Sequence, residues 1–158
     1  IVLMPRKDAI HNLVKQALVK DGWQITDDPY VISYGERFLF VDLAATERDG
    51  LGSFQGRFVG AAKGRQTIAV EIKEFRGPSE VASLEQAIGQ YVLYQLLLDQ
   101  IDPNRRLYLA VSDLDYDQIL SEPIGELVIS ELPLNLIVVN QKTVEVQQWI
   151  PPLSSQTP

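Results

Sequence analysis

The chain has 158 residues, of which 46% are hydrophobic and 22% charged, as in an ordinary globular domain with a core of its own. No apolar run approaches the roughly 20 residues that cross a bilayer, and no signal-peptide pattern opens the chain, so we expect a cytoplasmic protein with no membrane contact. The net charge of −7 argues against non-specific coating of DNA, the absence of cysteine excludes disulfides and thiolate metal sites, and a single histidine leaves oxygen as the main ligand for any metal.

The first third of the chain predicts one helix followed by β-strands. Apolar residues recur at helical spacing over residues 8–20, and Asp21-Gly22 ends that run. A short strand is expected over residues 23–26. The segments 30–34 and 38–43 are rich in β-formers on either side of a Gly-Glu turn and predict a hairpin.

Residues 44–66 have a different character. Five glycines and four basic residues punctuate them with little periodicity, which is unusual for a loop of this length in a compact domain. A short strand around Phe58-Val59, a mobile segment and a segment that orders on a ligand are all compatible with the pattern. Residues 48–76 carry six basic and three acidic side chains, a balance of +3, whereas residues 79–158 carry three and eleven, a balance of −8.

The second half predicts a strand, a long helix and several shorter elements. The segment 67–73 begins with a continuous apolar run, which is typical of a strand buried on both faces. Ser79 is a suitable cap for a helix over residues 79–99, with Glu80 in its first turn. The elements expected after it are a strand over 106–111, short helices over 113–120 and 124–132, and strands over 135–139 and 144–149.

These elements predict an α/β fold with a mixed β-sheet flanked by helices. The strand–helix–strand unit over residues 67–111 favours a right-handed crossover between parallel strands, and the earlier hairpin should be antiparallel. Residues 1–150 are expected to form a single domain. The Pro- and Ser-rich residues 151–158 are expected to be a flexible tail.

Three polar residues around the predicted strands suggest a metal site. Glu71 and Lys73 are two apart on one strand and therefore share a face, and Asp42 follows the apolar strand 38–41. If the two strands pair, the carboxylates of Asp42 and Glu71 converge, and a divalent cation such as Mg²⁺ or Mn²⁺ would relieve their repulsion. The carbonyl of Ile72 would add a third oxygen. The Lys73 ammonium would then orient a nucleophile or offset the charge that develops on a phosphate.

The simpler alternative is that Glu71 and Lys73 form the solvent face of an edge strand. The apolar run before them favours a central strand instead.

Two further features could belong to the same site. Gln90 and Tyr94 lie four residues apart on the predicted helix, with Gln86 one turn earlier, and would aim polar groups at it. Alternatively, this row lines a wet groove or an interface. His11 could be an additional metal ligand, or it could be an ordinary surface or capping residue.

The order of these candidates resembles a known nuclease pattern. They are, in chain order, Asp42, then Glu71-Ile72-Lys73, then Gln90 and Tyr94. This order is similar to the PD-(D/E)xK nuclease superfamily, and the last pair resembles the QxxxY motif of its RecB-like branch. In that branch an upstream histidine often joins the metal ligands, which implies such a role for His11. Val41 stands where the superfamily motif has proline.

A second resemblance covers nearly the whole chain. Its segments are HNLVKQALVKDGWQITDDPYVI, FVDLAA, QTIAVEIKEF, AIGQYVLYQ, RRLYLAVS and LIVVN with VEVQQWI. They resemble the XisH family, the cyanobacterial excision controlling factors of the fdxN element. The resemblance implies a restriction-endonuclease-like fold, a role beside a site-specific recombinase in programmed DNA excision, and a working relation with a small XisI-like protein. The segment 44–66 is longer than this family leads us to expect.

Three hypotheses follow for the function. The first is a metal-dependent DNA endonuclease in which Asp42 and Glu71 hold Mg²⁺, Lys73 assists the nucleophile, and Gln90 and Tyr94 orient the site. The second is a catalytically silent protein on a nuclease scaffold that regulates a recombinase through protein contacts, to which the −8 balance of residues 79–158 is suited. A small-molecule-binding domain ranks last because no glycine-rich phosphate loop follows any strand. The hairpin and the Tyr-rich helix would also support a homodimer.

Overall fold

The computed structural model describes residues 6–47 and 66–153. The first element, helix α1, spans Arg6–Lys20. It buries Val14, Ala17 and Leu18 completely, as the helical spacing of these apolar residues predicts. It ends where Gly22 adopts a φ of +98°, a left-handed conformation that glycine reaches without steric cost.

Within the described residues, eight strands and three further helices follow, close to the predicted positions except for the strand Leu43–Glu47, which was not predicted. The strands of the first half are β1 Trp23–Asp27, β2 Tyr30–Tyr34, β3 Arg37–Val41, β4 Leu43–Glu47 and β5 Thr67–Ile72. The second half contains α2 Glu80–Ile101, β6 Arg105–Ser112, the short α3 Asp113–Asp115, a π-helical turn Tyr116–Leu120, α4 Pro123–Glu131, β7 Leu136–Asn140 and β8 Glu145–Ile150. The Ser79 side chain caps α2 by accepting a hydrogen bond from the backbone N–H of Ala82, as predicted.

The strands form a mixed six-stranded sheet and a separate hairpin. The order in the large sheet is β1-β4-β5-β6-β7-β8, in which β5, β6 and β7 are parallel and the other neighbours antiparallel. Strands β2 and β3 form the antiparallel hairpin. The predicted α/β class, the mixed sheet and the parallel pairing of β5 with β6 are confirmed.

The pairing assumed for the strand before Asp42 is wrong. Residues 38–43 do not form one strand beside β5, because the chain bends at Asp42 and divides into β3 and β4. Among the described strands, β3 pairs with β2 alone, whereas β4 pairs with β5 in the register Leu43 opposite Val70. The apolar run continues across the bend, so hydrophobic pattern alone does not reveal it.

Two apolar layers cover the two faces of the large sheet. On one face α2 and the hairpin pack over a core that includes Ile32, Leu98 and Leu107. On the other face α1 packs over a core that includes Leu18 and Tyr108. Consecutive residues of β6 thus enter opposite layers, which is the period-two alternation of a strand buried on both sides.

Some expectations concern residues outside the described ranges. The strand suggested around Phe58-Val59 lies there, as do residues 154–158 of the predicted tail. Residues 151–153 of that tail are described, and Leu153 packs, partly buried, against the α1-side core. Within residues 6–47 and 66–153, no helix is both long enough and apolar enough to cross a membrane.

Candidate functional site

Glu71 and Lys73 stand at the carboxyl end of the central strand β5. This strand lies between β4 and β6, and Glu71 is only 8% exposed. The backbone N–H of Lys73 donates to the Ala110 carbonyl of β6 at 3.0 Å, so the parallel ladder continues past Glu71. The edge-strand alternative is therefore wrong, and a carboxylate is buried in the middle of the sheet.

Asp42 reaches the same end of β5 through its side chain. Its Oδ2 accepts a hydrogen bond of 2.8 Å from the backbone N–H of Ile72. The β4–β5 ladder has Leu43 opposite Val70 and ends there. The Asp42 carboxylate thus replaces the main-chain acceptor that a longer β4 would have offered, and it lies next to the Glu71-Ile72-Lys73 tripeptide.

Helix α2 supplies the third part of the site. Together with the strand ends it forms a cluster of polar side chains, namely Asp42, Glu71, Lys73, Gln90 and Tyr94. The Lys73 ammonium donates a 2.9 Å hydrogen bond to the Gln90 side-chain carbonyl. Tyr94, one turn further along α2, is 9% exposed. Burial raises the pKa of the Tyr94 phenol, and the negative charges of Glu71 and Asp42 raise it further. Tyr94 is therefore a neutral phenol that lies within the electrostatic influence of both carboxylates.

An open pocket of about 280 Å³ lies at this end of the sheet. Its walls include Asp42, Ile72 and Lys73 from the strand ends and Gln86 from α2. Among the described residues, Glu71, Gln90 and Tyr94 belong to the cluster but do not line this pocket. The pocket is polar and charged, as a site for an anionic substrate beside a cation would be.

His11 lines the same pocket from α1 but is engaged with another residue. Its Nε2 lies 2.8 Å from Asp28 Oδ1, and Lys15 donates to the other oxygen at 2.7 Å. Burial alone would raise the pKa of Asp28, but the Lys15 and His11 interactions outweigh it and lower the pKa below its ordinary value. The structure thus brings His11 to the rim of the pocket and pairs it with Asp28.

The donor chemistry of the cluster fits a hard divalent cation. Among residues 6–47 and 66–153, no three His, Cys, Asp or Glu side chains gather into a metal-binding group. Mg²⁺ needs only one or two carboxylates and retains several waters, so Asp42, Glu71 and the Ile72 carbonyl would be sufficient. The bond from Ile72 occupies one of the roughly four lone-pair positions of the Asp42 carboxylate, which leaves acceptor capacity for an ion.

Sequence reasoning missed other residues beside the site. Arg76 and Ser83 also line the pocket, and Arg76 donates to Glu74 at 3.1 Å. Asp115 accepts a 3.0 Å hydrogen bond from the backbone N–H of Phe75 and so fixes the chain just after Lys73. The basic character of Arg76, three residues after Lys73, is a local signal that could have been used. Nothing near Asp115 in the sequence indicates this long-range contact.

Comparisons with known proteins agree with this architecture. The family model described as "XisH protein" matches residues 4–147. An fdxN element excision controlling factor protein from Anabaena variabilis is 36% identical with a TM-score of 0.75, and the match covers 90% of this chain and 98% of that one. An XisH family protein from Nostoc punctiforme is 34% identical with a TM-score of 0.74 and the same coverage. No curated protein matches the chain. By both the family match and these related structures, the chain belongs to the XisH family.

Proposed function

We propose that the chain is an accessory or controlling factor of programmed DNA excision that contains a Mg²⁺-dependent phosphodiesterase site of the PD-(D/E)xK type. The observation that carries the proposal is the hydrogen bond from the Ile72 backbone to Asp42, which holds one carboxylate beside the end of β5, where Glu71 and Lys73 stand. The relative from Anabaena variabilis is itself described as an fdxN element excision controlling factor, which supports the biological setting.

Each residue of the cluster has a chemical role in this proposal. Asp42, Glu71 and the Ile72 carbonyl would hold the ion, which when bound supplies Lewis-acid stabilisation of a phosphodiester and a more acidic water. Gln90 fixes the Lys73 ammonium through a 2.9 Å bond, so that this fixed positive charge is available to a scissile phosphate. The Tyr94 phenol, whose pKa is raised by burial and by the charges of Glu71 and Asp42, would act as a neutral hydrogen-bond donor within the same cluster.

DNA would approach the pocket through its phosphate backbone. Lys73 and Arg76 lie in the pocket wall. Residues 48–76 carry the only net positive balance among the three stretches 1–47, 48–76 and 79–158. Because cations attract phosphates without reading sequence, these residues would contribute affinity and position rather than specificity.

A catalytically silent regulator remains the second candidate. Asp42 already has a structural task, since it satisfies the Ile72 N–H at the end of the β4–β5 ladder, and this task needs no metal. The −8 balance of residues 79–158 suits a protein partner better than DNA. The partners in this alternative would be a site-specific recombinase and a small XisI-like protein.

Cleavage assays separate the two candidates. Plasmid and branched DNA are incubated with the wild-type chain and with Lys73→Ala in Mg²⁺ or Mn²⁺. Loss of the Lys73 charge should reduce the cleavage rate by about a hundredfold or more, because the ammonium that Gln90 holds at the site would be gone. Lys142→Ala, an exposed lysine in the β7–β8 turn, is the matched control and should cleave at the wild-type rate. Equal cleavage by the Lys73→Ala variant would rule out this mechanism, and absence of cleavage by the wild type would favour the silent regulator.

A further inference from the structure

Helix α2 has a second surface, which is apolar and exposed and which the candidate site does not use. On the side away from Gln90 and Tyr94, Val92 is 37% exposed and Leu96 is 61% exposed, and Leu93, one turn before Leu96, is 47% exposed beside them. A helix that packs on a sheet normally turns its large apolar residues toward the core rather than toward solvent. Their exposure in the middle of α2 marks a surface for another molecule.

A groove runs beside this exposed row. It has a volume of about 310 Å³ and lies between α2 and the segment that follows α4. Val92 and Leu96 form one wall, and Leu132 and Pro133 form part of the other. Leu132 is itself 38% exposed. The groove and the row together form the α2 groove surface, which is of a shape that takes the apolar face of an amphipathic helix.

Carboxylates bracket the apolar part of this surface. Glu85 lies two helical turns before Val92, and Asp99 lies about one turn after Leu96, so all four share one side of α2. Asp99 is fixed by a 2.9 Å hydrogen bond from Gln95, which also lines the groove. Glu131, adjacent to Leu132, adds an exposed carboxylate on the far side.

Among residues 6–47 and 66–153, the basic side chains close to the groove lie at one end of it. Helices α2 and α4 contain no lysine or arginine. Arg105 and Arg106 line a neighbouring polar pocket that shares Gln95 and Asn135 with the groove, and Arg105 is paired with Asp102 at 2.9 Å. The flanks of the apolar row are therefore acidic.

A second copy of this chain is a poor occupant. Glu85 and Asp99 are equally distant from Val92 along α2. Two copies packed antiparallel about Val92 would bring Glu85 of one toward Asp99 of the other, and a parallel arrangement would oppose identical carboxylates. Both arrangements place like charges together without a basic residue of α2 to offset them.

From the apolar groove and its acidic flanks we infer that the α2 groove surface binds a basic amphipathic helix of a partner protein. Apolar side chains of that helix at spacings of three and four residues would enter the groove between Leu96 and Leu132. Lysine or arginine residues on either side would meet Glu85, Asp99 and Glu131. The inference does not rest on the proposed phosphodiesterase site, because Gln90 and Tyr94 occupy the opposite side of α2.

The test uses two synthetic helical peptides of about 18 residues, or five turns, with the same leucine pattern. One carries flanking lysines and the other flanking glutamates. The lysine peptide should bind the full-length chain in fluorescence anisotropy, and Leu96→Asp should weaken that binding by about tenfold or more. The matched control is Phe38→Asp, which changes a 67% exposed residue on the hairpin and should leave binding unchanged.

Charge reversal gives the decisive comparison. The double variant Glu85→Lys with Asp99→Lys should lose the lysine peptide and gain the glutamate peptide. Failure of the lysine peptide to bind the wild-type chain, or equal binding to Leu96→Asp, would overturn the inference. A wild-type dimer in sedimentation at pH 7 that Leu96→Asp dissolves would also overturn it, because the occupant would then be a second copy. Lys73→Ala should bind the lysine peptide normally even if the proposed nuclease function fails.

Discussion

Asp42 connects the end of one sheet ladder to the candidate site through a single hydrogen bond. Its Oδ2 satisfies the Ile72 N–H at 2.8 Å, in a part of the molecule where Asp42 is half-buried and Glu71 is buried. A buried donor left without an acceptor costs more than the net value of the bond itself. The fold and the proposed chemistry therefore depend on the same carboxylate.

Substitutions at Asp42 should show how far the fold itself depends on the bond to Ile72. We expect Asp42→Ala to lower the free energy of unfolding by about 1–3 kcal/mol because Ile72 loses its acceptor. Asp42→Asn retains a side-chain carbonyl and should cost less than half of that. Urea denaturation of both variants measures the difference. If alanine and asparagine were equally destabilising, the bond to Ile72 would not be the reason that the fold needs Asp42.

Asp28 makes the free energy of unfolding depend on pH. Its pKa lies below the ordinary 3.8 because the Lys15 and His11 interactions outweigh burial. A lowered folded-state pKa stabilises the folded form above the unfolded-state pKa, and that stabilisation disappears as the pH falls through the folded-state value.

Asp28→Asn should therefore be less stable than the wild type at pH 7, by about 0.5 kcal/mol for such a partly exposed pair. The gap should shrink as the pH falls below 3.8 and the wild-type carboxyl becomes neutral. Denaturant titrations at neutral and acidic pH check the trend. A gap that stayed constant with pH would mean that ionisation of Asp28 is not its source.

The residues of the candidate site differ in how far sequence could locate them. The continuous apolar run correctly placed Glu71 and Lys73 at the end of a central strand. Helical spacing correctly directed Gln90 toward the same place, where it contacts Lys73. Asp42 did reach β5, but by a side-chain bond after a bend rather than by strand pairing. Asp115 was not predictable because its bond to Phe75 spans 40 positions with no local pattern.

At the scale of elements, α4 approaches the π-helical turn very closely at Gly125. Gly125 is buried in α4, and a Cβ added there would collide with the backbone of Ile119 and Leu120. Backbone atoms cannot move aside as a flexible side chain can. Glycine is required here for close approach rather than for an unusual backbone angle.

Gly125→Ala should lower the free energy of unfolding by about 3 kcal/mol, the upper part of the range for overpacking. Gly89 on α2 is the matched control, since a Cβ there would meet nothing within 4 Å. Gly89→Ala should instead stabilise the protein by about 0.5–1 kcal/mol through helix propensity. Thermal or urea unfolding of the two variants should give opposite signs. A neutral Gly125→Ala would show that the α4 contact can relax.

Apolar runs bounded by turn and capping residues explain why most elements were predictable, whereas the division at Asp42 was not. The long helix, the central strand and the later strands agree with prediction within about two positions. Residues 38–41 and 43–45 are apolar on both sides of Asp42, with no turn residue between them to mark a division. Which partner each half of that run pairs with is decided by tertiary packing of the hairpin against α2, and a one-dimensional pattern carries no information on that choice.

At the scale of the whole molecule, the sheet topology concentrates polar groups at one place. The site lies where antiparallel β4 begins beside the carboxyl end of β5 and where residues of α1 and α2 both line the pocket. Helix α2 is shared between two surfaces, with Gln90 directed to Lys73 and the apolar row directed to solvent. A partner seated on that row would therefore contact the same rigid helix that holds the site, which gives the two surfaces a physical connection.

Metal binding is the whole-molecule property that best tests the proposed site, because a ligand selective for the folded state stabilises the entire fold. At a concentration one hundred times its dissociation constant, Mn²⁺ or Mg²⁺ should add about 2.7 kcal/mol and raise the Tm. Glu71→Gln and Asp42→Asn should abolish the increase, since each removes a charged oxygen ligand. Glu145→Gln, an exposed carboxylate at the start of the edge strand β8, is the matched control and should retain it.

Lys73→Ala should also retain the increase while losing cleavage, because an ammonium is not a ligand. An equal metal-dependent rise in wild type and Glu71→Gln would place the ion elsewhere, and no rise in the wild type at millimolar metal would leave the cluster with the structural role of Asp42 alone.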